Sequence, residues 1–525
     1  MSDKRPWINS GSDGVPRSAE RLIDAMFRVP AILRPRWTIR YVLCSIAVIY
    51  FSYCTLFDMP LFSSALPEYT GPYEVGTIDL EVPCDGRKVN DVVFKDSGKP
   101  AFEMQTVFFS LYYPAVKDYV SSKPNHLWIP KPIALHGEGY ARFAHINNFF
   151  FNNIFTFGLW ALAGSTSIPA KVDVPLHGTV KYGNYETEHP LDEYGLPMFP
   201  VIVFSHGMAS SRTGYTQYAA ELASRGYIVA AIEHRDGSGP GSLIMYPDGT
   251  TKEWMHFDAK DLDPQPETAE IKAMQLAMRQ AEVEETVRVL REINDGAGGE
   301  LFKSNPRQEG ADLAEWRGRL NMDFMVVGGH SYGATLALQT LKGAPCEERP
   351  FKGAVILDPG KQSGPLNDDI NIPTLIVHSD SWSKKHTIFH GRPHFEVVKE
   401  LVQKVLDQKN RFAWFMTSKG TTHPSITDAP LIEPTLLSWT TGATIPVREG
   451  VEQYVKVTDE FMQFLKDGHR RGILAEEVTH PEYDHDIRSE ERKKAMSNEV
   501  EKYWQIHVAP KTDCPYPGLC GVDPE

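Results

Sequence analysis

Phe324 to Lys342 reads FMVVGGHSYGATLALQTLK. The apolar run Phe324 to Val327 is too short for a helix and is closed by two glycines, which predicts a buried strand. Ala334 to Lys342 carries helix formers with apolar residues at helical spacing, which predicts a helix. Between them lies Gly329-His330-Ser331-Tyr332-Gly333. A Gly-x-Ser-x-Gly between a strand and a helix is the setting of a nucleophile elbow, a sharp turn that lifts the serine hydroxyl above the sheet. Strand and helix approach so closely there that the residues two before and two after the serine must lack bulk. Gly329 and Gly333 meet that demand.

The alternation continues on both sides. VFFSLYYPA (107–115), FPVIVFSHG (199–207), GYIVAAIEHRD (226–236), GAVILDPG (353–360), IPTLIVHSD (372–380) and RFAWFMTS (411–418) read as strands. Tyr215, Tyr218, Ala219 and Leu222 recur at helical spacing before Gly226, and Leu276, Val283, Val287 and Leu290 share one face of a long helix over 268–293. Near-continuous apolar strands separated by helices predict an α/β fold, a mostly parallel sheet covered by helices on both faces. Sites in such sheets form at the carboxyl ends of the strands.

A serine hydroxyl needs a base, and in this fold the chain order is serine, acid, histidine. Of the histidines after Ser331 (378, 386, 390, 394, 423, 469, 480, 485 and 507), His423 lies in the loop after the last apolar strand, from which it can reach the elbow. Most of the others fall in charged or helical stretches and are expected to be exposed. Two strand-end carboxylates, Asp358 and Asp380, compete to orient His423, and periodicity does not choose between them. The oxyanion hole needs two backbone N–H groups. Tyr332, next to the serine, supplies one, and Met208 in the loop Phe204-Ser205-His206-Gly207-Met208 is placed to supply the other. His206 is expected to brace that loop.

Composition excludes other classes. The chain has 525 residues, 42% of them hydrophobic, with 54 basic against 68 acidic side chains and a net charge of −14. That is core enough for a large domain and no basic surplus for nucleic acid. Six cysteines without a C-x-x-C pair make neither a disulfide scaffold nor a zinc ribbon. Residues 1–40 hold eight basic and four acidic side chains, and the uncharged run YVLCSIAVIYFSYCTLF (41–57) follows. As a helix this run approaches the length of a bilayer core; if it spans, the basic flank favours a cytosolic N-terminal side, the absence of any Asn-x-Ser/Thr sequon argues against the external catalytic domain that would follow, and the side stays open. The run is longer than a signal-peptide core and too far from Met1 for one. The alternative is a buried core helix. The expected organisation is a basic segment with a single-pass membrane anchor (1–66), a catalytic domain (67–465) and a charged C-terminal helix and tail (466–525). Cys514 and Cys520 either close a small disulfide loop or remain thiols.

FSHGMASSRTGYTQYAAELASRGYIVAAIEHRDGSG (204–239) resembles the platelet-activating factor acetylhydrolases, the calcium-independent phospholipase A2 branch of the α/β-hydrolases. The resemblance extends to TGPYEVGTIDL (70–80), LYYPA (111–115), GGHSYGA (328–334), VILDPG (355–360) and KGTTHPSITD (419–428). It departs at residues 240–320, which are longer than usual, at the extra N-terminal anchor, and just after Asp358. It implies Ser331 as nucleophile, Asp358 as acid, His423 as base, and Met208 and Tyr332 as oxyanion donors. The implied reaction is hydrolysis of the sn-2 acetyl or short acyl ester of a phospholipid at a membrane surface, without metal or other cofactor and without nucleic acid. NFFFNNIFTFGLWALA (148–163), uncharged and aromatic, reads either as a buried helix or as the lipid-facing helix the resemblance implies. A carboxylesterase for small soluble esters or polyesters would use the same residues. A catalytically dead, membrane-tethered binding protein is the reading from another class.

Overall fold

The computed structural model describes residues 38–57, 61–179, 189–191, 195–408, 411–495 and 497–515. The chain divides into two compact units, Met1–Met59 and Pro60–Glu525.

In the first unit, one helix, α1 (Ile39–Leu56), begins at Thr38, whose Oγ1 accepts the Tyr41 N–H. Apart from buried Cys54, its apolar side chains are largely exposed, Ile49 to 68% and Leu56 to 79%. Among the described residues it is the one helix long and apolar enough to cross a membrane.

The second unit is built on a ten-stranded sheet. Its strands in chain order are β1 (Glu74–Lys88), β2 (Glu103–Ala115), β3 (Lys171–Val172), β4 (Phe199–Ser205), β5 (Ile228–Ile232), β6 (Leu320–His330), β7 (Phe351–Leu357), β8 (Thr374–Ser379), β9 (Ala413–Ser418) and β10 (Trp504–Val508). Across the sheet the order is β10-β9-β8-β7-β6-β4-β5-β2-β1-β3. From β9 to β5 neighbouring strands are parallel, while β2 joins β5 and β1 antiparallel. The elbow strand β6 lies at the centre, with Gly329 paired to Ser205 on one side and Ile356 on the other.

Period-2 alternation explains why these strands read as unbroken apolar runs. Val203 and Val327 enter one apolar cluster, and Ile202, Phe204 and Val326 enter the other, so both faces need burial. Helices α5 (Thr268–Glu292) and α6 (Tyr332–Thr340) cover the first face, and α4 (Thr216–Ala223) and α8 (Val447–Asp467) the second. Helix α2 (Ile133–Phe143) packs against α3 (Phe149–Ala163), and α7 (His394–Leu406) against β9.

Two expectations change. Residues 466–525 do not form a solvated helix and tail: among those described, Trp504–Val508 is a fully buried strand that extends the sheet beyond β9. Its apolar residues were masked by the charged helices on its N-terminal side. Cys514 is in a disulfide, and Cys520, its expected partner, lies outside the described residues. In addition, only four of the eight histidines set aside (386, 390, 469 and 485) are exposed, while His378, His394, His480 and His507 are buried.

Those buried rings set the acid stability. Burial lowers His136 and His394 to about 4 and His206 and His507 to about 3, and pushes His234, His330 and His378 well below the usual imidazole range. Below about pH 6.5 the unfolded chain binds protons that the folded chain refuses, so stability falls with pH at about 1.4 kcal/mol per unit for each such ring. Burial of Glu282, Glu460 and Asp428 raises their carboxyls to about 8, 7 and 6, which acts in the opposite direction. The histidines outnumber them. Guanidinium titrations at pH 7 and pH 5.5 should therefore give a lower midpoint at pH 5.5, and an unchanged or higher midpoint would contradict the neutral-ring assignment.

Candidate active site

Ser331 sits between β6 and α6 with φ 57° and ψ −117°. This conformation costs a non-glycine residue about 1–3 kcal/mol and persists only where its surroundings enforce it. They do so here: the Ser331 N–H donates to Leu357 O at 2.9 Å. A Cβ on Gly329 would meet Gly333 O at 2.3 Å, and one on Gly333 would meet Ser205 O at 2.1 Å. Both glycines are thus required by backbone contact.

The loop after β9 brings His423 over the elbow. The His423 N–H donates to Ser381 Oγ at 3.0 Å, and Gly420 N donates to Asp380 Oδ2 at 2.8 Å. Nε2 of His423 lies 3.0 Å from Ser331 Oγ, and its Nδ1 lies 2.9 Å from Asp358 Oδ2. Asp358 is buried and also accepts the Ser379 N–H and Oγ–H, each at 2.6 Å. The structure therefore brings Ser331, His423 and Asp358 into one hydrogen-bonded line. Asp380, the rival acid, is occupied elsewhere, by Gly420 N and by the Tyr483 hydroxyl. His330 also offers a ring nitrogen to this cluster, and its donor atoms lie within 4.8 Å of those of Asp358 and His423. His330 Nδ1 meets the Tyr215 hydroxyl at 2.8 Å, while its Nε2 lies 3.9 Å from Asp358 Oδ2; His423 has both ring nitrogens engaged, Nδ1 by Asp358 and Nε2 by Ser331, which suits a proton relay better than metal ligation.

Two further features were not visible in the sequence. Trp382 stacks on His423 with ring centroids 3.8 Å apart and planes within 10°, and its Nε1–H is fixed on Pro359 O at 3.0 Å. A ring so placed restrains the imidazole. Asp428, buried at the end of the His423 loop, accepts Thr216 N, Thr216 Oγ1 and Gln217 N, and so caps α4 from a distance.

Met208 lines the same cavity as Ser331, and Tyr332 follows the serine in the chain. Among the described residues neither backbone N–H has a hydrogen-bond partner, although Gly207, Ala209 and Ser331 on either side are held through theirs. The Gly207 N–H donates to the Tyr215 hydroxyl, and Ala209 N to Ser238 O. Fully buried Arg279 binds Asp236 at 2.7 Å and donates to His206 O at 2.7 Å, which anchors the Met208 loop to α5. The His206 ring is buried, faces Gly207 O through Nδ1 at 2.7 Å, and accepts the His234 N–H on Nε2. The Met208 amide thus lies on a braced loop, and the Tyr332 amide at the start of α6, directly after the serine.

A second serine–histidine–carboxylate line, Ser205–His234–Glu282, has contacts of 2.6 and 2.5 Å. All three residues are buried, so no substrate reaches Ser205. Ser331, by contrast, opens onto a cavity of about 250 Å³, lined by Trp128, Ile129, Leu159, Met208 and Tyr215 and, apart from histidines, by no ionisable side chain other than tyrosine. Leu159 comes from α3, whose outer face exposes Phe149, Phe150, Ile154 and Phe157. Asn148 Oδ1 caps this helix, accepting Phe150 N and Phe151 N.

The strand order, with antiparallel strands β2 and β10 on either side of a parallel block and a serine elbow at the end of the central strand, defines an α/β-hydrolase. Residues 61–472 match the family model for platelet-activating factor acetylhydrolase, isoform II, and the chain belongs to that family. It is 28% identical over 325 residues to the platelet-activating factor acetylhydrolase of Cavia porcellus, covering 60% of this chain and 61% of that protein. Its identity to the Canis lupus familiaris protein of the same name is 28% over 304 residues, covering 56% and 55%. The chain thus spans less than two thirds of the length of either relative. Among solved structures it is similar to a ferulic acid esterase from Streptomyces cinnamoneus, with a TM-score of 0.47 and 18% identity over 76% of this chain and 92% of that one.

Proposed function

We propose that this protein is a serine esterase that removes an acetyl or short, truncated acyl group from the sn-2 position of phospholipids at a membrane surface. The observation that carries the reading is the Ser331–His423–Asp358 line, which opens beside two unpaired amides onto a small cavity. Ser331 Oγ attacks the ester carbonyl carbon as His423 Nε2 takes its proton. Asp358 holds the ring through Nδ1 and stabilises the imidazolium. The carbonyl oxygen becomes an oxyanion between the Met208 and Tyr332 amides. Collapse breaks the bond to the glycerol oxygen, which leaves with the proton from His423 as the lysophospholipid. A water molecule, deprotonated by the same ring, then hydrolyses the acyl-serine and releases the carboxylic acid.

The cavity supports the short-chain reading, being smaller than the roughly 300–1,000 Å³ of sites that enclose drug-sized ligands. The exposed aromatic face of α3 favours a lipid surface over a soluble ester, because an apolar face of this kind buries itself at the headgroup boundary. The names of the mammalian relatives agree with this reading. The test is hydrolysis by the purified chain of phospholipids with sn-2 acetyl, hexanoyl and palmitoyl groups, with p-nitrophenyl acetate as soluble control. Turnover should fall steeply with chain length. Turnover of the soluble ester alone would favour the carboxylesterase reading.

Helix α1 is read as a single-pass anchor. Deleting residues 1–60 should move the protein to the soluble fraction while p-nitrophenyl acetate hydrolysis persists, because Pro60–Glu525 is compact by itself. Vesicle hydrolysis should fall without vanishing, since an interfacial helix binds reversibly whereas a spanning helix does not. Aggregation with loss of soluble-ester activity would place the helix in the core instead.

A further inference from the structure

Beside Met208 and Tyr332 stands a cation, Lys272, for which no ion pair is formed among the described residues. Lys272 lies in the first part of α5, its ammonium 3.8 Å from Met208 Sδ and 5.0 Å from the centre of the Tyr332 ring. It thus touches the side chains of both residues whose amides flank Ser331. Its remaining polar neighbour is a neutral oxygen, Gln275 Oε1, at 3.5 Å. Gln275 Oε1 also accepts the Tyr332 hydroxyl, which reaches Lys272 O as well, so α5 is tied to the elbow at this point. The two carboxylates whose charge reaches Lys272 are spent elsewhere: Asp236 on Arg279, and Asp258 on Lys260, His145 and His256. Among the described residues no carboxylate lies within ion-pair distance of Lys272. A half-buried ammonium without a counter-ion is costly, and burial already lowers its affinity for the proton. An anion delivered with the substrate would remove that cost.

Resting on the reading of the site as a phospholipid esterase, we infer that Lys272 binds the phosphate of the substrate, which places the headgroup on the α5 side of the oxyanion loop. The chemistry of the ligand fits. In a phospholipid the phosphate is separated from the scissile sn-2 carbonyl only by the ester oxygen, two glycerol carbons and one phosphate ester oxygen. A phosphate that close to the carbonyl is to be met by a cation beside Met208 and Tyr332, and Lys272 contacts the side chains of both. The cavity beside Ser331 has no acidic or permanently charged lining residue, so the acyl side offers the phosphate no partner. An ammonium–phosphate contact made equally in ground and transition states lowers KM and leaves kcat unchanged.

The test compares Lys272→Met and Lys272→Arg with the wild-type full chain. The substrates are a monomeric sn-2 acetyl phosphocholine, the same lipid in phosphatidylcholine vesicles, and p-nitrophenyl acetate. Lys272→Met should raise KM for the monomeric phospholipid about 10- to 100-fold, as expected for a lost hydrogen bond to a charged group, with kcat little changed. Lys272→Arg should restore most of the affinity. Hydrolysis of p-nitrophenyl acetate, which has no phosphate, should be unaltered. Glycerophosphocholine should inhibit that neutral reaction competitively in wild type and not in Lys272→Met. The inference is overturned if Lys272→Met changes both substrates equally, or if the KM effect appears only with vesicles, where the bilayer supplies the phosphate. It is also overturned if the effect belongs instead to Lys361→Met, the nearby lysine 5.0 Å from the Trp382 ring. Failure of the wild type to cleave any phospholipid would sink the proposed function, and the glycerophosphocholine measurement would then still decide whether Lys272 holds phosphate.

Discussion

Replacing Ser331 by alanine should lower ester hydrolysis about 10⁴- to 10⁶-fold, the range for loss of a serine nucleophile that works as a unit with its base. The fold should survive. The turn is held by main-chain contacts, the Ser331 amide on Leu357 O and the two glycines against neighbouring backbone, and alanine leaves all of them in place. Among the described residues the hydroxyl has one partner, His423 Nε2. Steady-state rates on p-nitrophenyl acetate together with a thermal unfolding curve check both parts. Activity within tenfold of wild type would place the nucleophile elsewhere.

The second large effect separates the two carboxylates. Asp358→Asn should cost about 10³- to 10⁴-fold in kcat, because an amide neither holds the imidazole in the right tautomer nor stabilises its charged form. Asp380→Asn should cost far less. Its carboxylate pins the His423 loop through Gly420 N and meets the Tyr483 hydroxyl, so its loss loosens the base without removing the charge beside it. The opposite ranking would overturn the assignment.

That pair also shows where sequence reasoning stops. Asp358 and Asp380 both end apolar strands, and no one-dimensional pattern says which side chain turns toward a histidine some 40 to 65 positions later. The elbow was legible because its constraints are local: a strand, two glycines forced by backbone contact, and a helix. The central strands were legible because both of their faces are buried. β10 was not, because an edge strand enclosed by charged segments lacks a long apolar run. The exposure of α3 was undecidable for the same kind of reason, since an all-apolar helix has no polar face to show which side meets water. Trp382 on His423 and Lys272 on Met208 are contacts between distant segments, set by tertiary packing alone.

The central claim is that Ser331 is the one serine activated for acyl transfer, and covalent labelling tests it most directly. The protein is treated with a fluorophosphonate, digested, and the modified peptide is sequenced by mass spectrometry. The account predicts a single adduct on Ser331 that is absent from Ser331→Ala and sharply slowed in Asp358→Asn. An unlabelled protein, or an adduct on another serine such as Ser205 of the buried Ser205–His234–Glu282 line, would contradict it.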